Sequence, residues 1–155
     1  MSNGEKIASV VPTGAKLTPA EADAIVEIAY VTIAADRKLD PAEVDAFRAV
    51  LERLRAAPVD AAQLDVVLDQ MYARVERVGD GLDEHLRALG TTMSPGAREL
   101  AYKVAYAMGV ADLDTSDEEF ELDLQLVDAL DLTTDRAEAL ADEVMSVLNP
   151  EEDFT

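Results

Sequence analysis

The sequence contains no cysteine and no tryptophan, and its single histidine is His85. Disulfides, zinc–thiolate sites and iron–sulfur clusters are therefore excluded. Aromatic residues make up only 5% of a chain that is 49% hydrophobic, so the core must consist mainly of alanine, leucine and valine. That mixture favours close-packed helices over sheets, in which β-branched and aromatic residues are usually richer.

Long apolar runs and positive charges are also scarce. No apolar stretch approaches bilayer length, and the first 17 residues lack the pattern of a signal peptide, which predicts a soluble, cytoplasmic protein without direct membrane insertion. From residue 112 onward, 16 acidic residues are accompanied by one cation, Arg136. Because the net charge is −20, we expect the chain to repel nucleic acids and anionic lipids and to bind metal cations or basic protein surfaces.

Helix start signals are frequent along the 155 residues, a length that suits one domain. Segments 18–21 and 40–43 each combine a capping residue, a proline at the first helical position and a glutamate that closes a capping box. No segment shows the two-residue alternation of a strand. We predict an all-α fold with about seven helices, near residues 19–36, 41–55, 60–78, 82–89, 95–111, 117–131 and 134–148.

The sequence also repeats itself at a spacing of 76 residues without a gap. This spacing predicts two similar three-helix units, over residues 19–78 and 95–148, packed about a pseudo-two-fold axis. Residues 1–17 are then expected to form a flexible arm, and residues 149–155 an acidic tail. The repeated pairs include Ala29-Tyr30 with Ala105-Tyr106, Ala35-Asp36 with Ala111-Asp112, Glu43 with Glu119, Leu54 with Leu130, and Leu64 with Leu140.

Two acidic corners are part of the repeat: the first corner covers residues 35–43 and the second corner residues 111–119. Helix capping explains half of their polar residues, because Asp40 and Ser116 are good N-caps and a glutamate three residues later closes a capping box. Asp36 and Asp112 are different. Each lies in the last turn of a predicted helix, where the helix dipole makes a carboxylate unfavourable by about 0.3–1 kcal/mol.

The two corners differ in the cations available to offset that cost. In the first corner Arg37 and Lys38 provide positive charge, so no ligand is required. The second corner has no local cation and adds Asp114, so a bound divalent ion would relieve the repulsion. Hard oxygen ligands suit calcium, magnesium or manganese. The second corner is not an EF-hand, because Asp117 replaces the required glycine and Asp123 replaces the twelfth-position glutamate.

With these residues, the chain resembles the TerB-like (tellurite-resistance) family. The resemblance lies in an alanine-rich helix that ends in Ala-Asp and is followed seven residues later by a glutamate, a pattern that occurs in both corners. It covers most of residues 19–148. The family's usual motif is Ala-Asp-Gly, whereas Arg37 and Leu113 take the place of the glycine here.

The resemblance implies an all-helical domain with an acidic, cation-binding site. It further implies a binding or assembly module of stress-response systems, often with membrane-associated partners, and it establishes no catalytic role. Carried over by residue, the site would consist of Asp36, Asp40, Glu43, Asp112, Ser116 and Glu119, to which the charge argument above adds Asp114.

Other features favour binding over catalysis. His85 is interpreted as an exposed or capping residue, and no nucleophile or nucleotide-binding motif is present. The tail around Phe154 and the stretch 7–12 are candidate docking segments for a partner. The alternative function is a protein-interaction subunit whose acidic C-terminal half docks on a basic partner without specific metal binding. A mimic of nucleic acid is a third hypothesis that suits the charge density.

Overall fold

The computed structural model describes residues 3–12, 17–34, 41–111 and 124–148. Throughout these ranges the regular structure is α-helical and strands are absent, which confirms the all-α prediction. The helices are α1 (Asn3–Ala8), α2 (Pro19–Ala34), α3 (Pro41–Arg55), α4 (Ala61–Val78), α5 (Leu82–Thr91), α6 (Pro95–Ala111), α7 (residues 124–129) and α8 (Thr134–Leu148).

Helices α2 to α6 and α8 begin within one residue of the starts that the capping signals predict. At the start of α4, Asp60 and Gln63 form a full capping box, in which the Gln63 backbone N–H donates to Asp60 Oδ1 at 2.8 Å and the Asp60 N–H donates to Gln63 Oε1 at 2.9 Å. Ser94 and Thr133 cap α6 and α8 in the same way, with hydroxyls that accept from backbone N–H groups three residues later. Local hydrogen bonding thus fixes the starts of these helices.

The α2–α6 pair forms the centre of the domain. Every residue of α2 from 24 to 33 is buried, because α2 packs against α3, α4, α5 and α6. Helix α6 contacts α1, α3 and α8 and buries Ala101, Val104 and Ala107 completely. Although α2 is mostly apolar, no helix in the described ranges is long and apolar enough to cross a membrane.

Helix α1 was not predicted, and residues 3–12 differ from the flexible, partner-docking arm expected there. Ile7, Val10 and Val11 are 2%, 6% and 1% exposed, and α1 packs against α3 and α6. Arg53 of α3 fixes the segment that follows α1 by donating from Nε to the Val11 carbonyl oxygen at 2.9 Å. These residues therefore dock on their own chain and contribute to its core.

The predicted duplication makes α6 the counterpart of α2 and α8 the counterpart of α4. In the structure α4 packs against α2, α8 packs against α6, and α2 and α6 pack against each other. The duplication and its two-fold axis stay predictions.

Candidate functional site

Among the seven predicted metal ligands, the structure describes only Glu43, which lies half-buried in the first turn of α3. The other six lie outside the described residues: Asp36, Asp40, Asp112, Asp114, Ser116 and Glu119. Within the described ranges, no group of three or more histidine, aspartate or glutamate residues is placed to hold a metal ion. For the predicted site, the structure therefore describes Glu43 and the two helices that precede the corners, α2 and α6.

Helices α2 and α6 precede the first and the second corner in the sequence, and their N-terminal ends are adjacent. Glu21, in the first turn of α2, accepts a hydrogen bond on Oε2 from the backbone N–H of Ser94, the N-cap of α6, at 2.8 Å. The two helices also pack against each other, and the two corner sequences follow their last residues, Ala34 and Ala111.

Glu21 connects the two halves of the duplication. Its Oε1 accepts from the Thr18 backbone N–H at 3.0 Å, its own N–H donates to Thr18 Oγ1 at 3.1 Å, and its Oε2 binds Ser94. The Ser94 backbone N–H, followed by that of Thr18, lowers the pKa of the Glu21 carboxyl below its usual range. The second unit has Ala97 at the equivalent position, so only the first unit provides this connection.

We expect Glu21→Gln to destabilise the domain at neutral pH but not in acid. Since the folded-state pKa of Glu21 is lowered, its contribution to the free energy of unfolding is present above the usual glutamate pKa and is lost as the pH falls through the folded value. The difference between wild type and Glu21→Gln in urea unfolding should therefore be constant from pH 7 to 5 and shrink below about pH 4. Glu138→Gln, at an exposed position of α8, is the control. A difference that persists unchanged in acid would contradict the assignment.

A second buried carboxylate, Glu27, joins three helices. Glu27 of α2 is 2% exposed. Its Oε1 accepts from Nη1 of Arg74 in α4 at 3.1 Å, and its Oε2 contacts Nε2 of His85 in α5. Arg74 Nη1 also donates to Asp23 Oδ2 at 2.8 Å, and these bonds, that to Asp23 above all, raise the pKa of the guanidinium. Both oxygens of Glu27 thus have cationic or hydrogen-bonding partners, as a buried carboxylate requires.

The sequence analysis missed this cluster. The interpretation of His85 as an exposed or capping residue is wrong, because its ring contacts Glu27 and its side chain is only 29% exposed. A signal was present: Glu27 is the one charged residue between Ala24 and Ala34, in a helix that is otherwise apolar almost all round. A charge in such a helix requires a buried partner, and the only histidine of the chain was a candidate.

The acidic residues of α8 divide into paired and exposed groups. Glu143 pairs with Lys103 of α6 at 3.3 Å, and the helix's one cation, Arg136, binds Glu99 through two hydrogen bonds of 2.6 and 2.8 Å. Asp135, Glu138 and Asp142 are exposed and follow one another at spacings of three and four residues. They therefore form an acidic stripe on the outer side of α8.

Comparison with known proteins gave no relationship, since no protein-family model, curated protein or solved structure matches the chain. The resemblance to the TerB-like family therefore rests on the corner residues alone and stays a prediction.

Proposed function

We propose that this chain is a non-enzymatic, acidic helical module that binds divalent cations at its two corners and acts within a larger, stress-related assembly. The proposal combines the resemblance to the TerB-like family with the charge of the second corner, which has no local cation. One structural observation supports it: the starts of α2 and α6 are joined by a hydrogen bond and the two helices pack against each other, from which we infer that they run in the same direction.

A site shared by the two corner sequences is compatible with the inferred common direction of the two helices, since one corner follows α2 in the sequence and the other follows α6. Oxygen ligands contributed by both corners would satisfy the six to eight that calcium takes. This explains why an acidic pattern would be kept in both units.

Helix electrostatics favours a cation at the same side. Each helix carries about half a negative elementary charge at its C-terminal end. With the inferred common direction, the ends of α2 and α6 would lie toward one side of the domain, and acidic sequences follow both. Since the potentials add, a divalent cation is a better ligand for this side than a monovalent one.

Thermal unfolding of metal-stripped protein, titrated with calcium, magnesium and manganese at fixed ionic strength, tests the proposal. An ion at 100 times its Kd stabilises a folded protein by about 2.7 kcal/mol, which corresponds to an increase in Tm of about 5–10 °C for a chain of this size. We expect a saturable, ion-selective increase that Asp112→Asn abolishes. Asp65→Asn, at an exposed position of α4, should leave it intact. A small increase that is equal for all divalent ions and is reproduced by monovalent salt would refute the cation site.

A second candidate, a protein-interaction subunit without specific metal binding, is favoured by the acidic stripe of α8. Asp135, Glu138 and Asp142 are exposed and suit a basic partner surface, possible partners including membrane-associated ones. In this case binding to a basic protein should weaken gradually as salt is added and as each residue of the acidic stripe is neutralised. Asp112→Asn should weaken binding no more than the neutralisation of one stripe residue does. The two functions therefore predict different sensitivities for the same set of variants.

A further inference from the structure

The α1 segment, residues 3–12, docks against α3, α6 and α8 mainly through aliphatic side chains. Ile7 and Val11 are 2% and 1% exposed, and Val10 lines a small cleft together with Val144 of α8. Because the segment fills this position, the structure shows directly which peptide fits it. That peptide is a short helix followed by two valines, the sequence that every copy of this chain carries.

Few polar contacts hold the α1 segment in place. Among residues 6–12, whose side chains the structure describes, the only hydrogen bond to the rest of the described chain is the one from Arg53 to the Val11 carbonyl oxygen. Lys6 forms no ion pair with any described residue. A helix of six residues is also too short to be stable by itself. Docking of the segment therefore depends on apolar burial, which a second copy of the domain offers equally.

Helix α5 makes the contacts that correspond to those of α1. Helix α1 packs against α3, α6 and α8, whereas α5 packs against α2 and α4 and its Gly90 closely approaches Ala129 of α7. In the predicted duplication, α2, α3 and α4 are the counterparts of α6, α7 and α8. The helix that precedes each predicted unit thus packs on two helices of the other unit. This is the arrangement that results when two copies of a domain exchange an identical element.

The connection between the α1 segment and α2 is long enough for such an exchange. Residues 13–18 connect them in the sequence, and six residues span up to about 20 Å when extended. The segment can therefore leave its own domain while α2 keeps its place.

We propose that the α1 segment exchanges between two copies of this chain, so that each segment docks on α3, α6 and α8 of the other copy. The exchange is mutual and therefore closes as a two-fold dimer. It uses the contacts already made within one chain and does not depend on the proposed cation site.

The net charge determines how this dimer responds to salt. Two chains that each carry a charge of −20 repel each other, whereas the docking of the segment is apolar. Salt at 1 M shortens the Debye length to about 3 Å, so it should increase the dimer fraction at a fixed protein concentration. An association held by ion pairs would show the opposite dependence.

Cross-linking of the full chain tests the proposal, because a protein without cysteine accepts single cysteines at chosen sites. Ser9 and Val147 line the same cleft between the α1 segment and α8. A mixture of Ser9→Cys and Val147→Cys chains, treated with a short bis-maleimide at high protein concentration and 1 M salt, should give covalent dimers that contain one chain of each variant. A mixture of Ser9→Cys and Val66→Cys, whose cysteine lies at an exposed site of α4, should not. Mass spectrometry identifies the linked peptides.

Light scattering of the unmodified chain provides the second measurement. The dimer should form at high protein concentration and 1 M salt, and Ile7→Asp should abolish it because the altered segment can dock on neither copy. Circular dichroism checks that this variant remains helical, and if it does not, the cross-linking decides alone. The proposal is overturned if the unmodified chain stays monomeric, if a helical Ile7→Asp variant still forms the dimer, or if cross-linking to Val147→Cys is no more efficient than to Val66→Cys.

Discussion

Replacing Gly90 with alanine should destabilise the domain by about 1–3 kcal/mol, the usual cost of forcing an extra carbon into a packed site. Gly90 is buried in the last turn of α5, and a Cβ atom there would lie 2.6 Å from the backbone oxygen of Ala129 in α7. A backbone oxygen cannot rotate away as a side chain can. The two helices would therefore have to separate, which weakens the contact that joins the middle of the chain to its second unit.

Gly96 is the matched control for Gly90. It is also helical, in the first turn of α6, but it is exposed and a Cβ atom there would meet nothing within 4 Å. Gly96→Ala should therefore stabilise the domain by up to about 1 kcal/mol, because alanine loses less backbone entropy in a helix. Urea unfolding followed by circular dichroism measures both changes. Equal stability of the two variants would show that α5 and α7 are farther apart than described.

Gly90 also shows a tertiary contact that the sequence does not predict. The prediction ended the helix near residue 89, because glycine commonly follows a helix, whereas α5 continues to Thr91. The glycine is required by the close approach of α7, 39 residues later in the sequence, and local patterns carry no information about that neighbour. By contrast, the capping box at Asp60 and Gln63 is complete within four residues, and α4 begins where it predicts.

Helix α1 was missed for a related reason. It has six residues, too few for a stable helix in isolation, so its stability depends on tertiary contacts with α3 and α6. The candidate site illustrates the opposite case. Its acidic pattern is present in the sequence, but any pairing of the corners depends on how α2 and α6 are placed relative to each other. Nothing in the sequence indicates the hydrogen bond between Glu21 and Ser94 that joins the starts of these helices.

Removing the buried carboxylate of Glu27 should produce the other large effect. Breaking a fully buried ion pair costs about 3–5 kcal/mol because a charge is left without a partner. The partners of Glu27 are not fully buried, since the side chains of Arg74 and His85 are 34% and 29% exposed and can be partly hydrated. We therefore expect Glu27→Ala to lower the free energy of unfolding by about 2–3 kcal/mol, less than the cost of breaking most fully buried pairs.

Asp23 provides the control for Glu27, because both carboxylates bind Nη1 of the same arginine, Arg74. The Asp23 side chain is 53% exposed, so Asp23→Ala should cost no more than about 1 kcal/mol, and less in high salt. The double variant Glu27→Ala/Arg74→Ala should cost less than the sum of the two single changes, because removing both charges leaves neither unpaired. Additive costs, or equal effects of Asp23→Ala and Glu27→Ala, would mean that the cluster contributes no more than a surface ion pair. A smaller joint cost would instead establish the Glu27–Arg74 pair as a stabilising contact between α2 and α4.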